Sequence, residues 1–147
     1  MDYQVIIDRY YPMGTRCREI FMRHAEQVAT LAVELARRCH TGLDENQVRA
    51  AAMLHDIGIF LTDAPGIDCH GKEPYIAHGI LGAELLRKEG VDEAIARVAE
   101  RHTGAGINEN DIDELGLPLP RCHLMPETML EKVVCYADKF YSKRGDM

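Results

Sequence analysis

The run Ala50-Ala-Ala-Met-Leu-His55-Asp56-Ile-Gly58 decides how this chain is read. An otherwise apolar stretch ends in an imidazole and a carboxylate side by side. Burying an unpaired carboxylate is costly or forces a large pKa shift. A divalent cation removes that cost because it brings its own charge. The dipeptide alone is weak evidence, since it can occur by chance. His24 lies 31 residues before His55, and His78, His102 and Asp138 follow Asp56 at successive intervals of 22, 24 and 36 residues. Each falls on a segment with helical periodicity.

Working outward, nearly every segment reads as helix. Residues 2–10 form a short helix capped by Asp2. A longer one runs from about Thr15 to Arg38. Its stripe of Cys17, Phe21, His24, Val28, Leu31 and Leu35 turns His24 inward. Asp44 and Gln47 make a capping box for the next helix, which reaches Ile57. Gly58 is expected to end it in the left-handed conformation. Residues 60–72 read as a loop. Pro74 opens a helix that stops at Gly90, and Asp92 caps another with His102 in its last turn. Gly104-Ala-Gly106 breaks the chain, Asn108 caps one short turn, and residues 116–120 form an extended connector. Pro126 opens the last helix, whose stripe Leu130, Val134, Ala137, Asp138, Tyr141 turns Asp138 inward. The expected fold class is all-α, one compact helical bundle over residues 1–147.

Composition narrows the function classes. The chain has 147 residues, 46% hydrophobic and 28% charged, as in an ordinary soluble globule large enough to bury a core. No apolar run is long enough for a membrane span, and the N-terminus lacks a signal pattern. The net charge of −7 argues against a nucleic acid polymer or an anionic membrane as partner. The cysteines are odd in number and lack any CxxC spacing. Cys17, Cys39 and Cys135 read as small buried hydrophobes, so a reducing cytoplasm is expected.

A lone histidine on an apolar face is more often a hydrogen-bonded core residue than a ligand. Four histidines and two aspartates at core-facing or helix-end positions would need several separate polar networks. One metal centre accounts for them together. Imidazole and carboxylate without thiolate suit Fe, Mn, Co or Zn in an open catalytic site.

The ordered set His24, His55-Asp56 and Asp138 resembles the HD superfamily of metal-dependent phosphohydrolases. His55-Asp-Ile-Gly58 is similar to its HDIG variant, and Ala77-His-Gly-Ile-Leu-Gly-Ala-Glu84 and Ala137-Asp-Lys139 resemble later blocks. The likeness covers roughly residues 15–141. It implies a helical HD fold, a first metal held by His24, His55, Asp56 and Asp138, and a second held by His78 and His102 with Asp56 as bridge. Thr103 and Ile59 stand where cyclic-dinucleotide phosphodiesterases of the superfamily have His and Lys. The resemblance is therefore to short HDIG proteins, diadenosine-tetraphosphate hydrolases among them.

The implied activity is hydrolysis of a small phosphorylated compound or nucleotide by a metal-bound hydroxide, with Asp56 central to catalysis. Lys72, Arg101 and Lys139 lie near ligands in sequence and are candidates for holding phosphate oxygens; solvated surface charge is the competing reading. Two alternatives stay open. Some HD-fold proteins are mixed-valent di-iron oxygenases with the same ligand set, and some are binding modules that have lost their ligands. The oligomeric state is not readable.

Overall fold

The computed structural model describes residues 2–103, 107–120, 122–141 and 143. Helix α1 spans Tyr3–Tyr10, and the Asp2 carboxylate accepts from Gln4 N–H at its start. Helix α2, Arg16–Arg38, is capped by the Thr15 hydroxyl accepting from Arg18 N–H. It buries Ile20, Phe21, His24, Ala25, Val28, Ala29, Ala32 and Ala36, a stripe at three- and four-residue spacing.

Helix α3, Glu45–Leu54, is the central element. Ala50 to Leu54 are all buried, which suits a helix covered on every side. Asp44 caps it by accepting from Asn46 N–H. The helix ends at Leu54 and not at Ile57, so His55 is its C-terminal cap and Asp56 lies in the turn beyond. Gly58 also differs from expectation. Its φ is −84°, in the right-handed region. What requires a glycine here is close approach, because a Cβ would lie 2.4 Å from His78 O and 2.5 Å from Gly82 N.

The expected loop of residues 60–72 is partly ordered. One-turn helices at Ile59–Leu61 and Pro65–Ile67 flank strand β1, Asp63–Ala64, which pairs antiparallel with β2, Cys69–His70. Asp68 supplies the left-handed turn residue, with φ of 58°. Aspartate tolerates that conformation, which periodicity does not reveal. A further single turn, Tyr75–Ala77, leads from Pro74 into helix α4, His78–Lys88. Helix α5 is Glu93–Glu100 with Asp92 as cap. His102 therefore lies just past the helix, not in its last turn. Residues 104–106, read as a chain break, lie outside the described residues.

Helix α6, Glu109–Leu115, carries a reciprocal capping box between Asn108 and Asp111 and ends at Gly116 with φ of 61°. Helix α7 is Met129–Asp138, capped by Thr128 and not opened by Pro126. The Thr128 hydroxyl, which accepts from Glu131 N–H, is the stronger start signal.

The chain folds as an all-α bundle with one two-stranded ribbon. Helix α2 packs on α3 and α7, and α5 packs on α3, α4 and α7. A smaller cluster of Ile107, Ile112 and Leu124 lies under α6. The five cysteines, all among the described residues, are not joined in disulfides, and Cys39 is exposed at the end of α2, contrary to its reading as a buried residue. No helix among the described residues is long and apolar enough to cross a membrane.

Candidate metal centre

Three helices and two turns deliver six side chains to one place. His24 comes from the middle of α2 and Asp138 from the last residue of α7. His55 and Asp56 follow α3, His78 opens α4, and His102 follows α5. His24, His55, Asp56 and Asp138 form one group of ligand-capable atoms and Asp56, His78 and His102 a second, each within 4.8 Å internally. Asp56 belongs to both.

The distances separate the two oxygens of Asp56. Oδ2 lies 3.4 Å from Nε2 of both His24 and His55. Oδ1 lies 3.0 Å from His102 Nε2 and 3.4 Å from His78 Nε2. Asp138 Oδ1 is 2.7 Å from His24 Nε2 and 3.2 Å from His55 Nε2. The four histidines and Asp56 are almost fully buried.

The histidines are oriented from behind. His55 Nδ1 donates to Ala52 O, His78 Nδ1 to Tyr75 O, and His102 Nδ1 to Ala99 O, at 2.5, 2.6 and 2.7 Å. In each case the acceptor is the carbonyl three residues earlier, at the end of a helix or single turn. With Nδ1 carrying the proton, Nε2 presents a lone pair to the centre. His78 Nε2 and His102 Nε2 face each other at 2.9 Å. Neither oxygen of Asp56 has a hydrogen bond of normal geometry. Lone pairs converging on a buried, poorly bonded carboxylate are the donor set that a divalent cation completes.

The buried charges act on one another. Burial pulls the His55 imidazole down, but the Asp56 and Asp138 carboxylates overcome it and raise its pKa to about 9. Burial dominates at His102 and lowers it. Asp56 is held well below the carboxylate range: burial opposes ionisation, and Lys143 and His55 outweigh it. Asp138 is also depressed, its burial offset by hydrogen bonds from His24 and His55.

The three cations proposed from sequence fare differently. The Arg101 guanidinium is taken by Glu131, with Nη1 3.0 Å from Oε1. Its position before a ligand did not reveal that a buried carboxylate of α7 faces it. Lys72 and Lys139 are exposed. The ammonium that reaches the cluster is Lys143, whose Nζ lies 3.0 Å from Asp56 Oδ2 and 5.6 Å from the centre of the Tyr75 ring. No periodicity marks Lys143, because it follows the last helix.

The HD domain family matches residues 21–142, and the chain belongs to that family. Among its relatives is the tRNA (cytidine(56)-2'-O)-methyltransferase of Thermoplasma volcanium, 36% identical over 141 residues, which are 96% of this chain and 37% of that protein. The protein of the same name from Picrophilus torridus is 40% identical over 124 residues, 84% of this chain and 32% of that protein. Uncharacterized protein MJ0778 of Methanocaldococcus jannaschii is 42% identical over 136 residues, 89% of this chain and 73% of that protein. The chain thus spans about a third of the two methyltransferases. No solved structure matches.

These relatives correct two expectations. Proteins named for an enzyme that acts on tRNA do not agree with a small phosphorylated substrate, nor with the oxygenase alternative. They also overturn the exclusion of a nucleic acid polymer. A net charge of −7 averages the whole surface and does not decide what one local patch recognises.

Proposed function

We propose that this chain is a metal-dependent HD enzyme that acts on tRNA, with its chemistry directed at a phosphoester of the RNA. The observation that carries this is the buried Asp56 carboxylate shared by two groups of ligand atoms. In this reading His24, His55, Asp56 and Asp138 hold one divalent ion, and Asp56, His78 and His102 hold a second. Such ions, when bound, supply a water ionised near neutral pH and neutralise charge on a phosphoryl group.

The chain's own residues do the rest. The backbone carbonyls of Ala52, Tyr75 and Ala99 fix three imidazoles with Nε2 inward. Burial of Asp56 keeps bulk water from competing for its oxygens. The names of the longer relatives support tRNA as the substrate. In this reading methyl transfer belongs to the two thirds of those proteins that this chain does not match. The matched part makes up 73% of MJ0778, so that relative does not carry a remainder of that size.

The test uses end-labelled tRNA, Mn(II) or Fe(II), and metal analysis of the protein. The expected result is about two ions per chain and metal-dependent cleavage or phosphate release from tRNA. Asp56→Asn should abolish turnover and lower metal content while leaving the helical circular-dichroism spectrum unchanged. A wild-type protein that carries metal but leaves tRNA chemically unaltered would sink the proposal.

A further inference from the structure

Beside the metal cluster lies a cavity of about 420 Å³ lined by Arg16, Glu19, Ile20, Arg23, Gly66 and Lys143. Its volume lies within the range of small-ligand sites. Four of these residues, Arg16, Glu19, Ile20 and Arg23, share one face of α2 at helical spacing. Arg23 directly precedes His24, which turns inward to the cluster. Lys143 joins the two places: its Nζ contacts Asp56, and its backbone carbonyl accepts from Arg23 Nη2 at 2.8 Å.

The arginines set this cavity apart. In this acidic chain most have a carboxylate partner, as Arg9 has Glu89, Arg18 has Asp8, Arg37 has Glu45 and Arg87 has Glu93. Among the described residues no such ion pair is formed by Arg16 or Arg23, and both line the same cavity. Two guanidinium groups therefore share this cavity with one carboxylate, Glu19, while the Lys143 ammonium at its edge pairs with Asp56 of the proposed reaction centre.

We propose that this cavity docks backbone phosphates of tRNA flanking the phosphoester presented to the metal cluster, through Arg16, Arg23 and Lys143. The inference rests on tRNA being the substrate. Guanidinium groups bind phosphate oxygens through paired N–H donors, and such contacts position an RNA strand without reading its sequence. The cavity's place at the edge of the cluster suits this role, because a polymer presenting one phosphoester to the cluster carries its neighbours past this edge. An ion held by Asp56 would compete with the Lys143 ammonium for that carboxylate, and Lys143 also lines the cavity.

The experiment measures equilibrium binding of unmodified tRNA over a series of salt concentrations. It compares wild type, Arg16→Gln/Arg23→Gln, Arg16→Lys/Arg23→Lys, and Lys88→Gln/Lys132→Gln, which removes the same charge from exposed positions outside the cavity. The first variant should bind at least about tenfold more weakly, with the slope of log K against log salt reduced by about 1–2. Its metal content should match wild type, which separates docking from assembly of the centre. The lysine variant should retain most of the affinity and the control nearly all. If the first variant does not fold, the single variants Arg16→Gln and Arg23→Gln take its place, and binding equal to wild type in both overturns the proposal. Equal binding by wild type and the glutamine variant, or equal weakening in the control, overturns it while tRNA remains the substrate. A wild type with no affinity for tRNA would defeat the functional reading itself, and this docking site with it.

Discussion

Gly58 shows how one missing side chain positions two functional ones. The turn carrying Asp56 passes so near the start of α4 that His78 Nε2 reaches to 3.4 Å from Asp56 Oδ1. A methyl group at position 58 would meet the backbone of His78 and Gly82, atoms that cannot rotate away. Gly58→Ala should therefore cost about 1–3 kcal/mol through overpacking. Each kcal/mol should lower the melting temperature by about 2–4 °C. Metal content should fall with it, since the shift separates His78 from Asp56. A variant with unchanged melting and metal content would show that the contact is not needed. At this same scale, the three Nδ1–H bonds to carbonyls explain why histidines stand at helix ends. A carbonyl there has acceptor capacity left over: Ala52 O and Tyr75 O take the imidazole N–H in addition to the backbone N–H of His55 and His78.

At the scale of elements, Glu131 ties α5 to α7. Its carboxylate accepts from Arg101 Nη1, Glu127 N–H and the Thr128 hydroxyl at 3.0, 3.0 and 2.8 Å. The residue is 1% exposed, and Arg101 directly precedes His102. Removing Glu131 leaves Arg101 with the more distant Glu100 and Glu127 at 3.7 and 3.9 Å, so Glu131→Ala should cost about 1–3 kcal/mol in denaturant unfolding. A loss below about 1 kcal/mol would mark the pair as ordinary surface charge. The pair also predicts an acid response. Burial works against ionisation of Glu131, but Glu127 N–H, Thr128 and Arg101 prevail and lower its pKa. A carboxyl depressed in the folded state stabilises above its unfolded pKa of about 4.5 and loses that contribution as pH falls through the folded value. Stability followed by chemical denaturation should thus fall less steeply below about pH 4.5 in Glu131→Gln than in wild type.

For the whole molecule, the cluster ties stability to metal. Elements α2, α3, α4 and α7 each hold one or more of the six residues at or near their ends or faces, with the segment after α5 supplying His102. An ion binding there stabilises only the assembled bundle. At a free concentration about a hundredfold above its dissociation constant, a divalent ion should add about 2.7 kcal/mol. Chelator-treated protein should accordingly melt about 5–10 °C higher after Mn(II) or Fe(II) is added. Asp56→Asn should lose most of that shift, because both ligand groups lose their shared carboxylate. Identical melting curves for wild type with and without metal would defeat the metal assignment.

What the sequence by itself determined is the helical class, the stripes that turn His24 and Asp138 inward, and the six residues that had to be explained together. Those are local properties: periodicity places a side chain on a face, and an inward charge demands a partner. Its errors were local too. Helix α3 stopped before His55, and Gly58 proved necessary for packing and not for a left-handed turn. Packing between remote segments sets Asp56 between two groups of ligand-capable atoms, pairs Arg101 with Glu131 and brings Lys143 beside Asp56. Those pairings join residues 30 and 87 positions apart in the chain. Distance in space between remote segments is set by how helices pack, and no periodicity along one segment encodes it.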